Sequence, residues 1–357
     1  MKIGIITQPI KENFGGILQN YALQSILKNM GHKVVTIDCV PEIPFWLYLL
    51  VSFKTIYYRF ILKRNRPFQP YRYRRSNFVQ KFIDNNICVT ERCQHYSKRL
   101  INKYKLDALI VGSDQVWRPS YNKSTFKDMF LSFCGEIELR KIAYAASFGV
   151  DSWEYTQNQT KNAQMLIKKF DAISVREKSG EYLCYKYLGV HAKTVLDPTL
   201  LLSKSSYLKL IPQELVLLED YLLVYILDNV NSKKAYIESI AEQLNCKVIY
   251  CFANDNISCS VEQWLAYFYG ARWIITDSFH GTVFSIIFNK QFVTINNNTR
   301  GSARFIDLLQ SFELRERMVD VLDTDVILKP IDWHCVNKSI STKQEQSIQF
   351  IRESLKS

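Results

Sequence analysis

Short apolar runs alternate with amphipathic stretches along most of this chain, at the spacing of strands and crossover helices. Residues 2–7 form a first apolar run. Residues 18–28 carry apolar side chains at helical spacing and stop near Gly31, and residues 34–38 form a second run. This is a βαβ opening, and connections of that length join parallel strands. The pattern continues with strands at 107–112 and 141–149, the latter ending in a turn, then a helix at 157–170 and a strand at 172–175. A helix through Tyr185 and a strand at 194–198 follow. After a linker at 203–219 the pattern resumes with strand 221–227, helix 232–244, strand 247–251 and helix 261–269. Strand 272–276, helix 281–288 and strand 292–295 complete it. The expected fold is α/β: two Rossmann-like domains, 1–205 and 220–335, facing a central cleft, and then a helix over 336–357.

Residues 43–83 break the pattern. Residues 43–53 are almost wholly apolar, about half the length needed to span a bilayer. Eight Lys or Arg residues then fall between 54 and 75, interleaved with aromatics, and no acidic residue lies between Glu42 and Asp84. Such a segment suits an anionic membrane interface, and also nucleic acid or the solvated face of a helical insertion. The expectation taken forward is peripheral membrane contact through 43–75 and no nucleic acid.

Composition adds bounds. The chain has 357 residues, 47% hydrophobic and 22% charged, which excludes a disordered class and suits two domains. A net charge of +12 favours anionic partners without choosing among them. Nine cysteines include no Cys-x-x-Cys pair, so no zinc site is expected. The chain opens on a strand rather than a secretory signal, so a reducing cytoplasm is the expected setting.

Polar groups gather at the carboxyl ends of the expected strands, where open α/β sheets bind ligands. They are Asn13 to Gly16, Ser113-Asp114-Gln115, Arg176-Glu177 and Ser278-Phe279-His280-Gly281. A histidine at a strand-to-helix turn can carry a proton beside an anion held at the helix start, or merely cap the helix. Gly-x-Gly-x-x-Gly and P-loop sequences are absent, which disfavours a dinucleotide or nucleoside triphosphate site. Asp197-Pro198-Thr199 reads as a local Asp turn, Trp117 as a packing residue or a sugar platform, and Asp323-Thr324-Asp325 as a solvated loop. Arg304 is expected exposed at a helix start, where a cation opposes the dipole and an anionic partner would explain it.

Taken in order, these segments resemble the polysaccharide pyruvyl transferase family. The matching stretches are Asn13 to Gly16 with Gln19 to Gln24, Val111 to Trp117, Tyr144 to Gly149, Ser174 to Glu177, Leu196 to Leu201 and Thr276 to Gly281. They run from residue 3 to about 317 and leave out 43–83. The resemblance implies a fold like the two-domain GT-B glycosyltransferases. It also implies transfer of the pyruvyl group of phosphoenolpyruvate onto two hydroxyls of one sugar, giving a cyclic ketal, with no metal or organic cofactor. His280 and Asp114 are then the expected acid/base groups. Arg176, Ser278, Gly281 and Arg304 are expected at the donor, and Gly15, Gly16, Asn20, Gln115 and Trp117 at the acceptor, a glycan carried on a lipid at the inner face of the membrane. Some members have Arg-x-His where this chain has Ser278-Phe279-His280, so one cation is missing, and Arg304, Arg300 or Lys290 is expected to replace it. The competing expectations are a GT-B glycosyltransferase using a nucleotide sugar and a non-catalytic membrane-associated binding protein.

Overall fold

The computed structural model describes residues 1–41, 45–61, 75–228, 233–251, 259–296 and 301–356. The first half contains β1 (Lys2–Ile6), α1 (Phe14–Asn29), β2 (Lys33–Thr36), α2 (Phe45–Phe60), α3 (Asn77–Asn86), α4 (Lys98–Tyr104) and β3 (Ala108–Gly112). It continues through β4 (Arg140–Ala146), α5 (Gln157–Ile167), β5 (Ala172–Val175), α6 (Lys178–Leu183), β6 (Lys193–Thr194) and α7 (Lys204–Leu208). The second half contains β7 (Tyr221–Tyr225), α8 (Lys234–Gln243), β8 (Lys247–Tyr250), α9 (Val261–Gly270), β9 (Trp273–Thr276), α10 (Phe279–Ile287) and β10 (Gln291–Ile295). The elements α11 (Ala303–Ser311), β11 (Met318–Val319), α12 (Thr324–Leu328) and α13 (Trp333–Leu355) close it.

Two parallel sheets result, ordered β2-β1-β3-β4-β5-β6 and β11-β10-β9-β7-β8. Their central strands are apolar on both faces because helices cover both, as parallel crossovers require. The expected strand at 194–198 survives only as Lys193–Thr194; Pro198 instead opens a short 3-10 turn capped by Asp197. The expected linker carries α7, and the last helix starts at Trp333 with Asp332 as its cap. Asp323 caps α12 by accepting from Asp325 N, so the Asp-Thr-Asp sequence is a helix start.

One apolar cluster runs through both halves. Trp264 of α9 is fully buried against Phe14 of α1 at 5.8 Å, Tyr225 at 5.4 Å, Phe268 at 4.3 Å and Phe284 at 5.1 Å between ring centroids. The helix α13 belongs to the second half in sequence and to the first in space. Its Phe350 packs on Tyr144 of β4, and its Ser347 and Gln344 side chains bond the backbone at Leu196 and Leu200.

The α2 helix is inverted relative to an ordinary surface helix. Thr55 is buried and Ser52 half-buried, while Leu49, Leu50, Phe53, Ile56, Tyr57 and then Ile61 are exposed. At 100° per residue these exposed side chains share one face. No helix among the described residues is long and apolar enough to cross a membrane.

Trp264 lies where the halves meet, so its loss opens a cavity in the shared core. Trp264→Ala is expected to cost about 3–5 kcal/mol in urea unfolding, by the usual penalty for a buried large-to-small change. A cost below about 1 kcal/mol would mean that the halves are stabilised separately.

Candidate active site

Each sheet reverses its strand order once, between β1 and β3 in the first half and between β7 and β9 in the second. Ligands of open α/β sheets bind outside the carboxyl ends of such strands. The segments there are the start of α1 and the turn after β3, facing the turn from β9 into α10.

The α1 helix starts at Phe14, so Gly15 and Gly16 lie in its first turn rather than in a preceding loop. A Cβ on Gly15 would lie 2.1 Å from His280 Nδ1 and 2.3 Å from its Cγ. Glycine is therefore required for the imidazole to pack directly against the α1 backbone. A Cβ on Gly16 would meet Asp114 Oδ2 at 3.6 Å, which places that carboxylate beside the same turn. Ser113 and Asp114 both adopt positive φ, 31° and 56°, a conformation costly for residues with side chains and common at functional sites. Asp114 is half-buried, and its Oδ1 accepts from Gln115 N at 2.8 Å.

Asp197 joins these pieces. Its Oδ2 accepts from Ser113 Oγ at 2.9 Å and Arg176 Nη1 at 2.9 Å. Its Oδ1 accepts from Thr199 N at 3.0 Å and Thr199 Oγ1 at 2.6 Å. His280 Nε2 stands 3.6 Å from Oδ2. Burial raises the Asp197 carboxyl, but His280, Arg176 and Thr199 outweigh it and hold the group well below the usual carboxylate range. The local Asp turn expected from the sequence is present through Thr199. The longer-range bonds from Ser113 and Arg176 and the approach of His280 make Asp197 a site residue as well.

A second buried carboxylate lies beside it. Glu177 Oε1 accepts from Ser147 Oγ, Phe148 N and Gly149 N at 2.8, 2.9 and 3.3 Å. Its Oε2 stands 3.9 Å from Arg176 Nε. Burial raises the Glu177 carboxyl, partly offset by Arg176 and Arg304. A bulge in β4, where Ala145 has φ 51° and the register with β5 shifts, lies just before Ser147. Ser174 Oγ bridges it, accepting from Ala145 N and donating to Ala143 O.

The cations stack on one ring. The Arg176 guanidinium lies 4.4 Å and the Arg304 guanidinium 5.4 Å from the Phe279 ring centre. Arg304 is 7% exposed, which corrects the expectation of an exposed helix-start arginine. Burial, then Arg176, lower its pKa to about 10, while Glu177, Asp114 and Tyr121 pull the other way. Arg176 Nη2 and Nε and His280 Nε2 are buried without a hydrogen-bond partner among the described residues. Lys290 follows the far end of α10, beside Tyr269 and Lys204, and so does not replace the missing cation. Arg300 lies outside the described residues.

Several expected contact residues sit elsewhere. Trp117 is fully buried, stacked on Phe130 at 5.3 Å with Nε1 donating to Met129 O, so it offers no face to a sugar. Asn20 is fully buried and accepts from Thr36 Oγ1, tying α1 to β2; Gln19 and Gln24 bond Thr7, Thr36 and Cys88 in the same way. Gln115 Oε1 accepts from Arg118 Nη1 and lies against Gly149. Ser278 caps α10 by accepting from Gly281 N. A Cβ on Gly281 would fall 2.3 Å from Thr276 Oγ1, so this glycine serves the packing of α10 on β9.

The architecture defines a class: two Rossmann-like α/β domains facing a central cleft, GT-B-like. The sequence model of the Polysaccharide pyruvyl transferase family matches residues 13–299, and the chain belongs to this family of transferases. Among solved structures, the S. aureus MnaA–UDP complex superposes with a TM-score of 0.53 at 9% identity, over 97% of this chain and 90% of that one. The UDP-GlcNAc 2-epimerase from Methanocaldococcus jannaschii gives 0.50 at 12% identity, over 96% and 92%. At these identities the likeness is one of fold. A search of curated proteins by sequence finds no match.

The contact between Gly15 and His280 can be isolated by a double-mutant cycle. Gly15→Ala is expected to destabilise the protein by about 1–3 kcal/mol through overpacking. In a His280→Ala background the same change should be neutral, or stabilising by about 0.5–1 kcal/mol, because alanine favours a helix. An equal cost in both backgrounds would show that the ring does not occupy that space.

Proposed function

We propose that this enzyme moves the pyruvyl group of phosphoenolpyruvate onto two hydroxyls of one sugar in a cell-surface polysaccharide or its lipid-linked precursor. The observation that carries this is the buried pair Arg176 and Arg304 stacked on Phe279, with His280 beside them at the start of α10. Phosphoenolpyruvate carries about three negative charges, which suit two guanidinium groups and a helix amino terminus. Arg304 takes the place of the arginine that Ser278 lacks. Its guanidinium shares the Phe279 ring with Arg176, whereas Ser278 is occupied as a cap.

In this reading His280 delivers a proton to the methylene carbon, which leaves the central carbon electron-poor. A sugar hydroxyl attacks that carbon and gives up its proton, with Asp114 as acceptor. Phosphate leaves with the electrons of its carbon–oxygen bond. A second hydroxyl attacks and gives its proton to His280, left deprotonated by the first step, which closes the ketal. Asp197 orients the His280 ring, and the two buried carboxylates hold Arg176 in place between them. No step in this reading calls for a metal.

The apolar face of α2 supports a lipid carrier for the acceptor. A helix that turns Leu49, Leu50, Phe53, Ile56 and Tyr57 outward presents an apolar face of the kind that marks an interaction surface. The stretch from Lys54 to Arg75 carries eight basic residues and no acidic one, so the matching cover is an anionic bilayer at the cytoplasmic face.

Phosphoenolpyruvate, and not a nucleotide sugar, is expected to raise the melting temperature. His280→Ala should lower turnover by about 10²–10⁴, the usual worth of a positioned proton carrier. Arg304→Gln should weaken the donor about 10- to 150-fold, the effect of losing one charged contact worth about 1.5–3 kcal/mol. Donor affinity within about twofold of wild type would remove Arg304 from the clamp. Stabilisation by UDP-sugars instead would favour a glycosyltransferase.

In liposome flotation the protein should bind anionic vesicles at low salt and be released as salt rises. Replacing Leu50, Phe53 and Ile56 together by Ser should abolish binding. Equal recovery with neutral vesicles, unchanged binding by the variant, or a dimer in solution that the variant disperses would assign the face to something other than an anionic membrane.

A further inference from the structure

Trp117 is sealed in the core, yet the turn that follows it presents another aromatic. Tyr121 is 52% exposed. It lies in the loop that leaves the carboxyl end of β3 through Asp114, on the side of the sheet where the candidate site is. One face of its ring is covered by the Arg118 guanidinium, 5.0 Å from the ring centre.

The ring is held by an unusually well-tied turn. Arg118 is 9% exposed and is itself fixed by Gln115 Oε1 at 3.0 Å and by both oxygens of Glu154 at 3.4 Å. Asn122 is 2% exposed, and its Nδ2 bonds the carbonyls of Gln115, Val116 and Arg118 at 3.1, 2.9 and 3.1 Å. Gln8, from the segment after β1, bonds both Asn122 Oδ1 and Gln115 O at 3.0 Å. The next residue along the chain from Tyr121 is thus locked, and the support beneath its ring is locked too. These bonds stabilise the turn and also fix the half-exposed ring, and a ring fixed before binding loses little entropy when it serves as a ligand platform. The Tyr121 phenol also lies near enough to Arg304, on the opposite half of the molecule, to enter its electrostatics, as Asp114 does.

We propose that Tyr121 is the acceptor platform: the apolar face of a pyranose ring stacks on the side of its ring that Arg118 does not cover, with the sugar hydroxyls turned toward Asp114. The sugar presents axial C–H groups to the ring and keeps its hydroxyls at the edge, so stacking buries apolar area without stripping polar groups. This inference deepens the reading of the site as a sugar-modifying one and rests on it. It assigns to Tyr121 the role that the sequence suggested for Trp117. The backing cation makes the ring a rigid shelf rather than a mobile side chain.

The test separates the platform from the donor. Wild type, Tyr121→Ala and Tyr121→Phe are titrated with a panel of methyl hexosides and methyl N-acetylhexosaminides by saturation-transfer NMR. In parallel, phosphoenolpyruvate is tested by thermal shift on all three. At least one glycoside should bind wild type, with saturation strongest on the protons of one ring face. Tyr121→Ala should weaken it about tenfold or more, and Tyr121→Phe by less than about threefold, because the ring and not the hydroxyl carries the contact. Phosphoenolpyruvate should stabilise all three equally. Glycoside binding unchanged in Tyr121→Ala would overturn the platform. So would the absence of any glycoside binding to wild type while phosphoenolpyruvate still stabilises it. Loss of glycoside binding in Tyr121→Ala, with no response of wild type to phosphoenolpyruvate, would uphold the platform and sink the donor assignment.

Discussion

A charge taken out of water must find its partners inside the protein, and Asp197 shows what that demand organises. Its carboxylate is buried, yet it stays ionised because a hydroxyl from the end of β3, a guanidinium from the end of β5 and two donors of Thr199 converge on it, with the α10 imidazole facing it. Removing one partner of a buried pair typically costs about 3–5 kcal/mol, so each of these elements is bound to the others through one group. The two halves of the molecule are thereby aligned at the place where chemistry is proposed. Glu177 repeats the arrangement a few ångströms away, and Arg176 lies between the two carboxylates with nitrogens still to satisfy. A cation so placed is paired through Nη1 yet keeps two buried nitrogens without a hydrogen bond, which a further acceptor could use.

The β/α alternation was legible because parallel strands buried on both faces read as unbroken apolar runs. It failed where that signal is missing. Residues 194–198 read as a strand, but Pro198 cannot donate to a ladder and starts a turn. The site was legible as a list of turns and not as a set of contacts. Gly15 looked like a loop glycine or an acceptor contact, and only the position of His280, far along the chain, shows why a Cβ is forbidden there. Asp197 betrayed its bond to Thr199, two residues away, but nothing local announces Ser113 at a separation of 84. Asn20, Gln19 and Gln24 were readable as polar helix residues. Their partners are Thr7, just past the end of β1, and Thr36 on β2, so they are buried ties between layers rather than ligands.

Burial also divides the aromatics in a way that composition cannot. The chain is rich in Phe and Tyr, and most of the described ones fill the shared core or stack around Trp117 and Trp153. The exposed ones differ in their surroundings. On α2 the exposed rings share a face with leucine and isoleucine, and Phe78, Tyr182, Tyr185 and Tyr236 are exposed elsewhere, whereas Tyr121 stands on a polar, braced turn. An apolar stripe suits a surface of the same kind; a single supported ring suits one small molecule with a polar rim.

The placement of α13 bears on how the molecule is made. Its Ser347 and Gln344 hold the backbone on either side of Asp197, and its Phe350 covers the Tyr144 side chain, whose hydroxyl bonds Leu196 O. Residues 333–355 are therefore part of the wall behind a carboxylate translated more than a hundred residues earlier. A ribosome delivers the first sheet long before that wall exists. Until α13 emerges, Tyr144 lacks Phe350 and the segment bearing Asp197 lacks its bonds from Ser347 and Gln344. The order of synthesis thus imposes a delay that the finished structure conceals: the first half cannot be completed before a helix that the second half must carry back to it. Long-range closure of this kind slows folding more than it weakens the product.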